Sequence, residues 1–206
     1  MRKKVEVRRE EILAAAVGQV RERGLAATRV IDVARALGVS KALVHYHFDS
    51  KEKLLAATFA YAALRDLDSL AQAQSSGGTA LERLWAVLGV YAPTGDASGW
   101  VLWIDGWAAA LRDEHLRTVL RDLDHRWKDS IAAVIGDGVR SGEFSCADPD
   151  GATSRITAML DGFAVEQVVR TGSSAQRSRA WVRSQVEREL GLPRPPAAAP
   201  AGQPGD

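Results

Sequence analysis

The spacing of residues that start and end helices constrains the first quarter of this chain more than any other feature. Gly24 follows residues 8–23, in which apolar side chains recur every three or four positions, as on one face of a helix. Thr28 can cap a short segment that ends at Gly38, and Ser40 can cap another short segment. Only a tight turn fits between Gly38 and Ser40. The pattern therefore predicts one longer helix followed by two short helices joined as a helix-turn-helix.

The remaining residues also have the periodicity of helices. No run of alternating apolar and polar residues indicates a strand. Asp148-Pro149 is typical of a helix start, because aspartate caps the first turn and proline suits the first helical position. The sequence predicts an all-α fold of about nine helices. After the helix-turn-helix, the predicted helices span residues 50–73, 79–91, 100–112, 114–138, 149–170 and 173–190.

Charge is distributed unevenly along the chain. Residues 1–53 carry 12 Lys or Arg and 7 Asp or Glu, whereas the remaining residues carry 15 and 19. The resulting net charges of +5 and −4 indicate a polyanionic partner at the N-terminal end. Chance clustering of solvated charge explains the same numbers equally well, so charge alone does not decide between the two interpretations.

Several features indicate the compartment. Cys146 is the one cysteine, so neither an internal disulfide nor a cysteine-based zinc site can form. No stretch approaches the roughly 18 apolar residues of a membrane span, and the basic N-terminus lacks the apolar segment of a secretory signal. These features predict a cytoplasmic protein without a membrane partner. No sequence motif for a metal ion or cofactor is present, and we expect neither.

Four short motifs follow one another between residues 38 and 55. They are Gly38-Val39-Ser40, Tyr46-His47-Phe48, Ser50-Lys51-Glu52 and Leu54-Leu55. In this order and spacing they closely resemble the signature of the TetR family of transcriptional regulators. The similarity extends over 48 residues, from Arg8 to Leu55. It implies an all-helical homodimer, not an enzyme, that represses by binding palindromic operator DNA and is released by a small-molecule effector.

The resemblance and the helical geometry together indicate which residues contact double-stranded DNA. His45 stands where the family most often has a tyrosine that contacts phosphate, and histidine can donate the same kind of hydrogen bond. Arg29, where threonine is common, adds a positive charge. The expected phosphate contacts are Thr28, Ser40, His45 and Lys51, and Arg29 is a further expected DNA-binding residue. The expected base contacts are Lys41, Ala42, Leu43 and Tyr46, on the exposed face of the third helix.

The C-terminal two thirds is rich in tryptophan, with five of the six Trp between residues 85 and 127. Trp100, Trp103 and Trp107 share one helix face, since they are spaced by three and four. Such a stripe is usually core, yet this many indoles exceeds what a small core needs, and aromatic walls are typical of ligand sites. The stretch from Trp103 to Arg112, with Asp161-Gly162-Phe163, is similar to the choline-responsive subgroup of the family.

We therefore predict an effector site in this domain. Its expected walls are Trp103, Trp107, Trp127 and Phe163, with Asp161 as a counter-charge. An amphiphilic cation fits such a site, because aromatic faces attract a quaternary ammonium that cannot donate a conventional hydrogen bond. A neutral lipophilic ligand would use the same walls without the acid. The residues leave both alternatives open.

The last two predicted helices form the expected dimer interface, since the family pairs these helices into a four-helix bundle. Their apolar residues are Ile156, Met159, Leu160, Phe163, Val168, Trp181, Val182, Val186 and Leu190. The domains that we expect are a DNA-binding domain at 1–53, an effector-binding and dimerisation domain at 54–192, and a disordered tail at 193–206.

Two other classes of function compete with a ligand-responsive regulator. An enzyme on a helical bundle could use His115, Asp122 and His125, but no catalytic motif accompanies them. An architectural DNA-binding protein needs no effector domain, and the tryptophan-rich body argues against it.

Overall fold

The computed structural model describes residues 2–91, 98–170 and 175–193, and within these residues the fold is all-α. The helices are α1 (Arg2–Arg23), α2 (Val30–Leu37), α3 (Lys41–Phe48), α4 (Lys51–Ser75), α5 (Ala80–Tyr91), α6 (Ser98–Ala110), α7 (Glu114–Ser141), α8 (Pro149–Val165) and α9 (Ala175–Glu189). A wider π-helical turn, Glu166–Arg170, continues α8. These nine α-helices match the predicted fold class. The predicted tail, apart from Pro193, lies outside the described residues.

Local signals set most of the helix boundaries. Asp113 caps α7 by accepting a hydrogen bond from the Leu116 amide at 3.1 Å, and Gly142 ends the helix in the left-handed conformation. Asp148 caps α8 through the Gly151 amide at 2.9 Å, ahead of Pro149, as the sequence predicted. The carboxylate of Glu143 accepts from the Ala80 and Leu81 amides at the start of α5, chiefly Ala80, and these hydrogen bonds lower its pKa.

Three predicted details are wrong. Helix α1 begins at Arg2 and not at residue 8, because charged residues with good helix propensity extend it before its apolar stripe begins. Arg29, not Thr28, is the N-cap of α2, since Thr28 is buried and its hydroxyl donates to the Gly24 carbonyl at 2.7 Å. Helix α6 spans Ser98–Ala110 and not residues 100–112, so Gly99 lies inside it.

Two hydrophobic cores meet on α4. The smaller core joins α1, α2 and α3 through residues such as Ile12, Val33 and Phe48, and it includes Leu54 of α4. The larger core fills the body around α7, and it includes Leu55, the very next residue of α4. Neighbouring residues of one helix therefore belong to different cores, and α4 connects the helix-turn-helix rigidly to the body.

Candidate DNA-binding surface and effector cavity

The turn between α2 and α3 fixes the angle of the third helix. Gly38 has φ 71° and ψ 31°, a left-handed conformation that glycine adopts without cost. Ser40 then starts α3, because its hydroxyl accepts from the Leu43 amide at 3.2 Å. The inner face of α3 is anchored by Val44 and Phe48, which are 1% and 4% exposed. Its opposite face is consequently turned outward as a rigid surface.

The outward face of α3 carries most of the residues predicted to read bases. Tyr46 is 74% exposed, so its ring and hydroxyl are accessible to a partner surface. Lys41 and Ala42 are exposed beside it, while Leu43 is half-buried. Arg29 is exposed at the start of α2, so its charge adds to the same end of the molecule.

The predicted phosphate contacts differ in how the structure holds them. The Lys51 ammonium donates to the Ala26 carbonyl at 3.1 Å, which steadies the side chain beside the α1–α2 turn. The Nδ1 atom of His45 lies 3.2 Å from the Asp49 carbonyl, so Nδ1 carries the proton and only the charged ring offers a second donor at Nε2. Ser40 is exposed, with its hydroxyl already engaged as a cap. Thr28 is 1% exposed and donates inward, so the structure excludes it from this surface.

A cavity of about 690 Å³ opens in the body between helices α4 to α8. Its size falls within the roughly 300–1,000 Å³ of typical small-molecule sites. The residues that line it are Asp66, Ser69, Gly89, Val90, Tyr91, Gly99, Trp100, Trp103, Trp107, Ala110, Leu111, Arg117, Leu120, Arg121, Asp124, Trp127 and Asp161.

Five aromatic rings form a connected wall of this cavity. Tyr91 meets Trp100 and Trp127 edge to face, with ring centroids 5.7 and 5.2 Å apart. Trp107 lies between Trp100 and Trp103, at 6.3 and 6.4 Å. We refer to these five residues as the aromatic wall. The two contacts of Tyr91 are edge to face and the two contacts of Trp107 are tilted, so each ring of the wall is held by at least one neighbouring ring.

A carboxylate stands at the end of the aromatic wall. The Tyr91 hydroxyl donates a 2.7 Å hydrogen bond to Oδ1 of Asp161. Burial raises the pKa of Asp161 above its ordinary value, and this hydrogen bond opposes the rise, while nearby Asp124 adds to it. Burial and the charge of Asp161 also raise the pKa of Tyr91, which therefore stays protonated. Asp124 forms an ion pair with Lys128 at 2.8 Å. Among the described side chains, none forms an ion pair with Asp161, although the charge of Lys128 also opposes the rise in the pKa of Asp161.

The structure brings together four of the five predicted effector residues: Trp103, Trp107, Trp127 and Asp161. Phe163 does not line the cavity and is a correction to the predicted site. Its ring stacks on Trp181 of α9, with centroids 5.6 Å apart and an 18° interplanar angle. Residues two apart on a helix point in nearly opposite directions, so Asp161 and Phe163 cannot share one site.

Sequence reasoning missed most of the cavity lining, including Trp100, Asp124, Tyr91 and the two cations Arg117 and Arg121. Trp100 was in the recognised stripe but was not assigned to the site. Asp124 lies three residues before Trp127, a spacing that places both on one face of α7. Tyr91 comes from the end of α5, and no periodic signal connects it to Asp161, 70 residues later.

The outer side of α8 and α9 is a third surface of interest. Four of the residues predicted for a dimer interface, Ile156, Leu160, Val186 and Leu190, are instead buried within the chain. Trp181 is 48% exposed on its stack with Phe163, and Val169, in the π-helical turn after α8, is 61% exposed. An apolar surface therefore remains on these helices, although it is smaller than predicted.

Comparison with known proteins identifies the family. Residues 80–191, more than half of the chain, match the C-terminal domain of BetI-type transcriptional repressors, and residues 12–58 match bacterial regulatory proteins of the tetR family. The chain belongs to the TetR family. As predicted, this TetR-family chain is a ligand-responsive transcriptional repressor and not an enzyme, and its family binds DNA and dimerises.

Individual relatives of this TetR-family chain agree with that assignment. The regulator BetI of Rhizobium meliloti is 28% identical over 191 residues, 89% of this chain and 90% of that protein. BetI of Brucella melitensis biotype 1 is 31% identical over 132 residues, 63% of this chain and 66% of that protein. A regulator from Saccharomonospora viridis, crystallised in complex with choline, is 26% identical, with a TM-score of 0.79 over 90% of this chain and 98% of that one.

Two further findings concern the described part of the TetR-family chain. Residues 2–91, 98–170 and 175–193 hold no helix long and apolar enough to cross a membrane. Within the same ranges, no three His, Cys, Asp or Glu side chains are grouped as metal ligands would be.

Proposed function

We propose that this TetR-family repressor is released from its operator by an amphiphilic organic cation that binds against the aromatic wall. The observation that carries the proposal is the Asp161 carboxylate, which lies at the end of five aromatic rings and forms no ion pair with any described side chain. A quaternary ammonium group is attracted to ring faces by about 0.5–2 kcal/mol each. The Saccharomonospora viridis neighbour, whose ligand is choline, supports the same class of ligand.

The cavity is larger than a trimethylammonium group needs. A volume of about 690 Å³ leaves room for an apolar or polar chain beside the cationic group. A neutral amphiphile is the second candidate, because it would use the same apolar walls without a charge partner, and burial disfavours the ionised form of Asp161.

Calorimetric titration separates the two candidates. The probes are choline and its neutral carbon isostere, 3,3-dimethylbutan-1-ol, titrated into the full-length dimer. We expect choline to bind at least tenfold more tightly, and Asp161→Asn to abolish the difference. Trp107→Ala should weaken choline binding about 2- to 30-fold, from the loss of one ring contact. Asp122→Asn, an exposed acid on α7 outside the cavity, is the matched control. Equal binding of both probes to all variants would refute the cationic effector.

For the DNA side, we propose that Lys41, Ala42, Leu43 and Tyr46 read base edges in the major groove. Arg29, Ser40, His45 and Lys51 then hold the phosphates, with the amides at the start of α3. The exposure of Tyr46 and the net charge of +5 on residues 1–53 support this assignment. We further propose that residues 1–53 act as the DNA-binding domain and residues 54–192 as the effector and dimerisation domain, in the cytoplasm where the DNA lies.

We also propose that the exposed apolar surface around Phe163 and Trp181 pairs with the same surface of a second copy. Such a two-fold dimer would place its two recognition helices about 34–36 Å apart or somewhat more, which suits a near-palindromic operator. Trp181→Asp would put a charge into this interface, so sedimentation velocity should then detect monomers. Persistence of the dimer would locate the interface elsewhere.

A further inference from the structure

Helix α6 presents opposite faces to the cavity and to the DNA-binding end of the chain. Trp103 and Trp107 line the cavity, and Asp105 stands midway between them in sequence. Because residues two apart on a helix point in nearly opposite directions, the Asp105 side chain is turned away from the rings. A movement of the two tryptophans therefore also moves Asp105.

Asp105 is bonded to the turn between α1 and α2. Its Oδ2 atom accepts a hydrogen bond from the Leu25 amide at 2.5 Å, across 80 residues of sequence. The carboxylate lies close against Gly24, where an added Cβ atom would be only 3.2 Å from Oδ2. Leu25 itself is 1% exposed, so its amide lies where water cannot easily replace the lost partner.

The same turn is also connected to the DNA-proximal end of α4. The carbonyl of Ala26, the next residue after Leu25, accepts the hydrogen bond from Lys51 at 3.1 Å. Lys51 is the first residue of α4 and one of the proposed phosphate contacts. The α1–α2 turn thus lies between the cavity helix on one side and a DNA-facing side chain on the other.

A second contact prevents α6 from sliding past α4. Gly106 packs directly on Phe59 of α4, where an added Cβ atom would be 2.6 Å from Cε2 of the ring. Phe59 is fully buried and also meets Trp103 edge to face at 5.2 Å. Asp105 and Gly106 are therefore adjacent contacts of one helix to two different parts of the molecule.

We propose that Asp105 is a positioning residue that couples the cavity to the DNA-binding domain through the Leu25 amide, by a route that does not pass along α4. This inference rests on the proposed function only in taking the cavity as the effector site. Asp105 touches neither ligand nor DNA. It sets how strongly ligand binding and DNA binding influence each other. The coupling is reciprocal, so DNA binding must change the affinity of the cavity for its ligand by the same factor, and along this route it would do so through α6.

Hydrogen–deuterium exchange tests this coupling without any effector. The probe is a duplex selected by the full-length protein from a random library, compared with the free protein over peptides of residues 98–110. We expect the duplex to change exchange in α6 of the wild type. In Asp105→Ala the duplex should still bind, but the change in α6 should fall at least threefold. Asp105→Asn should behave like the wild type, since its amide oxygen can still accept from Leu25.

Two further variants keep the test decisive. Asp105→Ser keeps the position polar, but its side chain is too short to reach the Leu25 amide. It replaces Asp105→Ala as the variant that lacks this hydrogen bond if Asp105→Ala does not fold. Val101→Ala, at an exposed position on the same helix, is the control that should retain the response. An undiminished α6 response in Asp105→Ala or Asp105→Ser, a lost response in Asp105→Asn, or no response in the wild type would each overturn the proposal. None of these outcomes depends on whether the effector is cationic.

Discussion

Substitution of Gly38 by alanine should destabilise the helix-turn-helix through backbone conformation alone. An added Cβ atom at Gly38 would meet nothing within 4 Å, so no side-chain clash contributes. A residue with a Cβ in the left-handed region costs about 1–2 kcal/mol. Alanine also lowers the conformational entropy of the unfolded chain relative to glycine, which offsets about 0.4–1 kcal/mol of this cost. We therefore expect a net loss of about 1 kcal/mol in the free energy of unfolding.

Gly18→Ala is the matched control, because the same atom is added to the same residue type. Gly18 lies in the middle of α1, has an ordinary helical φ and also has nothing within 4 Å of the added Cβ. Alanine is the better helix former by about 0.5–1 kcal/mol, so this variant should be stabilised. The change in the free energy of unfolding should thus have opposite signs in the two variants, although both replace glycine with alanine.

Thermal unfolding at one fixed protein concentration measures both effects. For a chain of this size, 1 kcal/mol corresponds to about 2–4 °C in Tm. Gly38→Ala should melt about 2–4 °C below the wild type and Gly18→Ala slightly above it. Gly38→Ala should also weaken operator binding while leaving ligand binding unchanged, because the cavity lies in the other core. A Gly38→Ala protein as stable as Gly18→Ala would show that the turn is not left-handed.

Other variants test the remaining assignments. Lys51→Ala should weaken binding to all DNA sequences alike and flatten its salt dependence in filter-binding titrations, whereas Tyr46→Ala should reduce discrimination between sequences; an unchanged salt slope would remove Lys51 from the phosphate contacts. Because the pKa of Asp161 is raised in the folded chain, Asp161 favours folding below its unfolded pKa and loses that stability as pH rises through its folded value. Asp161→Asn should therefore be more stable than the wild type at neutral pH and no more stable in acid, and denaturation at both pH values checks this. Truncation before Asp148 should yield a monomer, or insoluble protein, that no longer binds a palindrome, whereas truncation after Leu192 should change little; sedimentation velocity measures the oligomeric state of both.

The helix-turn-helix could be predicted from the sequence because its determinants are local. Gly38, Ser40 and Ser50 set helix ends within one turn of themselves, so their spacing alone gives the element order. The error at Thr28 arose because a residue one position before the true N-cap can look like a cap. Its hydroxyl found a nearer acceptor in the carbonyl of Gly24.

The cavity could be predicted only in part, because it depends on contacts between distant elements. The stripe of Trp103 and Trp107 on α6 is a periodic signal and was visible. Tyr91 enters from another helix, and only the tertiary packing of α5 against α7 and α8 brings it to Asp161. Phe163 was misplaced because nearness in sequence was read as nearness in the site, although α8 turns its side chain toward Trp181.

Release of the selected operator duplex, followed by fluorescence anisotropy, tests the cationic effector most directly. Choline and 3,3-dimethylbutan-1-ol are titrated separately into the preformed complex of wild-type protein and of Asp161→Asn. We expect choline to release the duplex from the wild type at concentrations at least tenfold lower than its neutral isostere, and Asp161→Asn to respond equally to both. Equal release of the wild type by both compounds, or a choline response that survives Asp161→Asn unchanged, would contradict a cation held by the aromatic wall and Asp161.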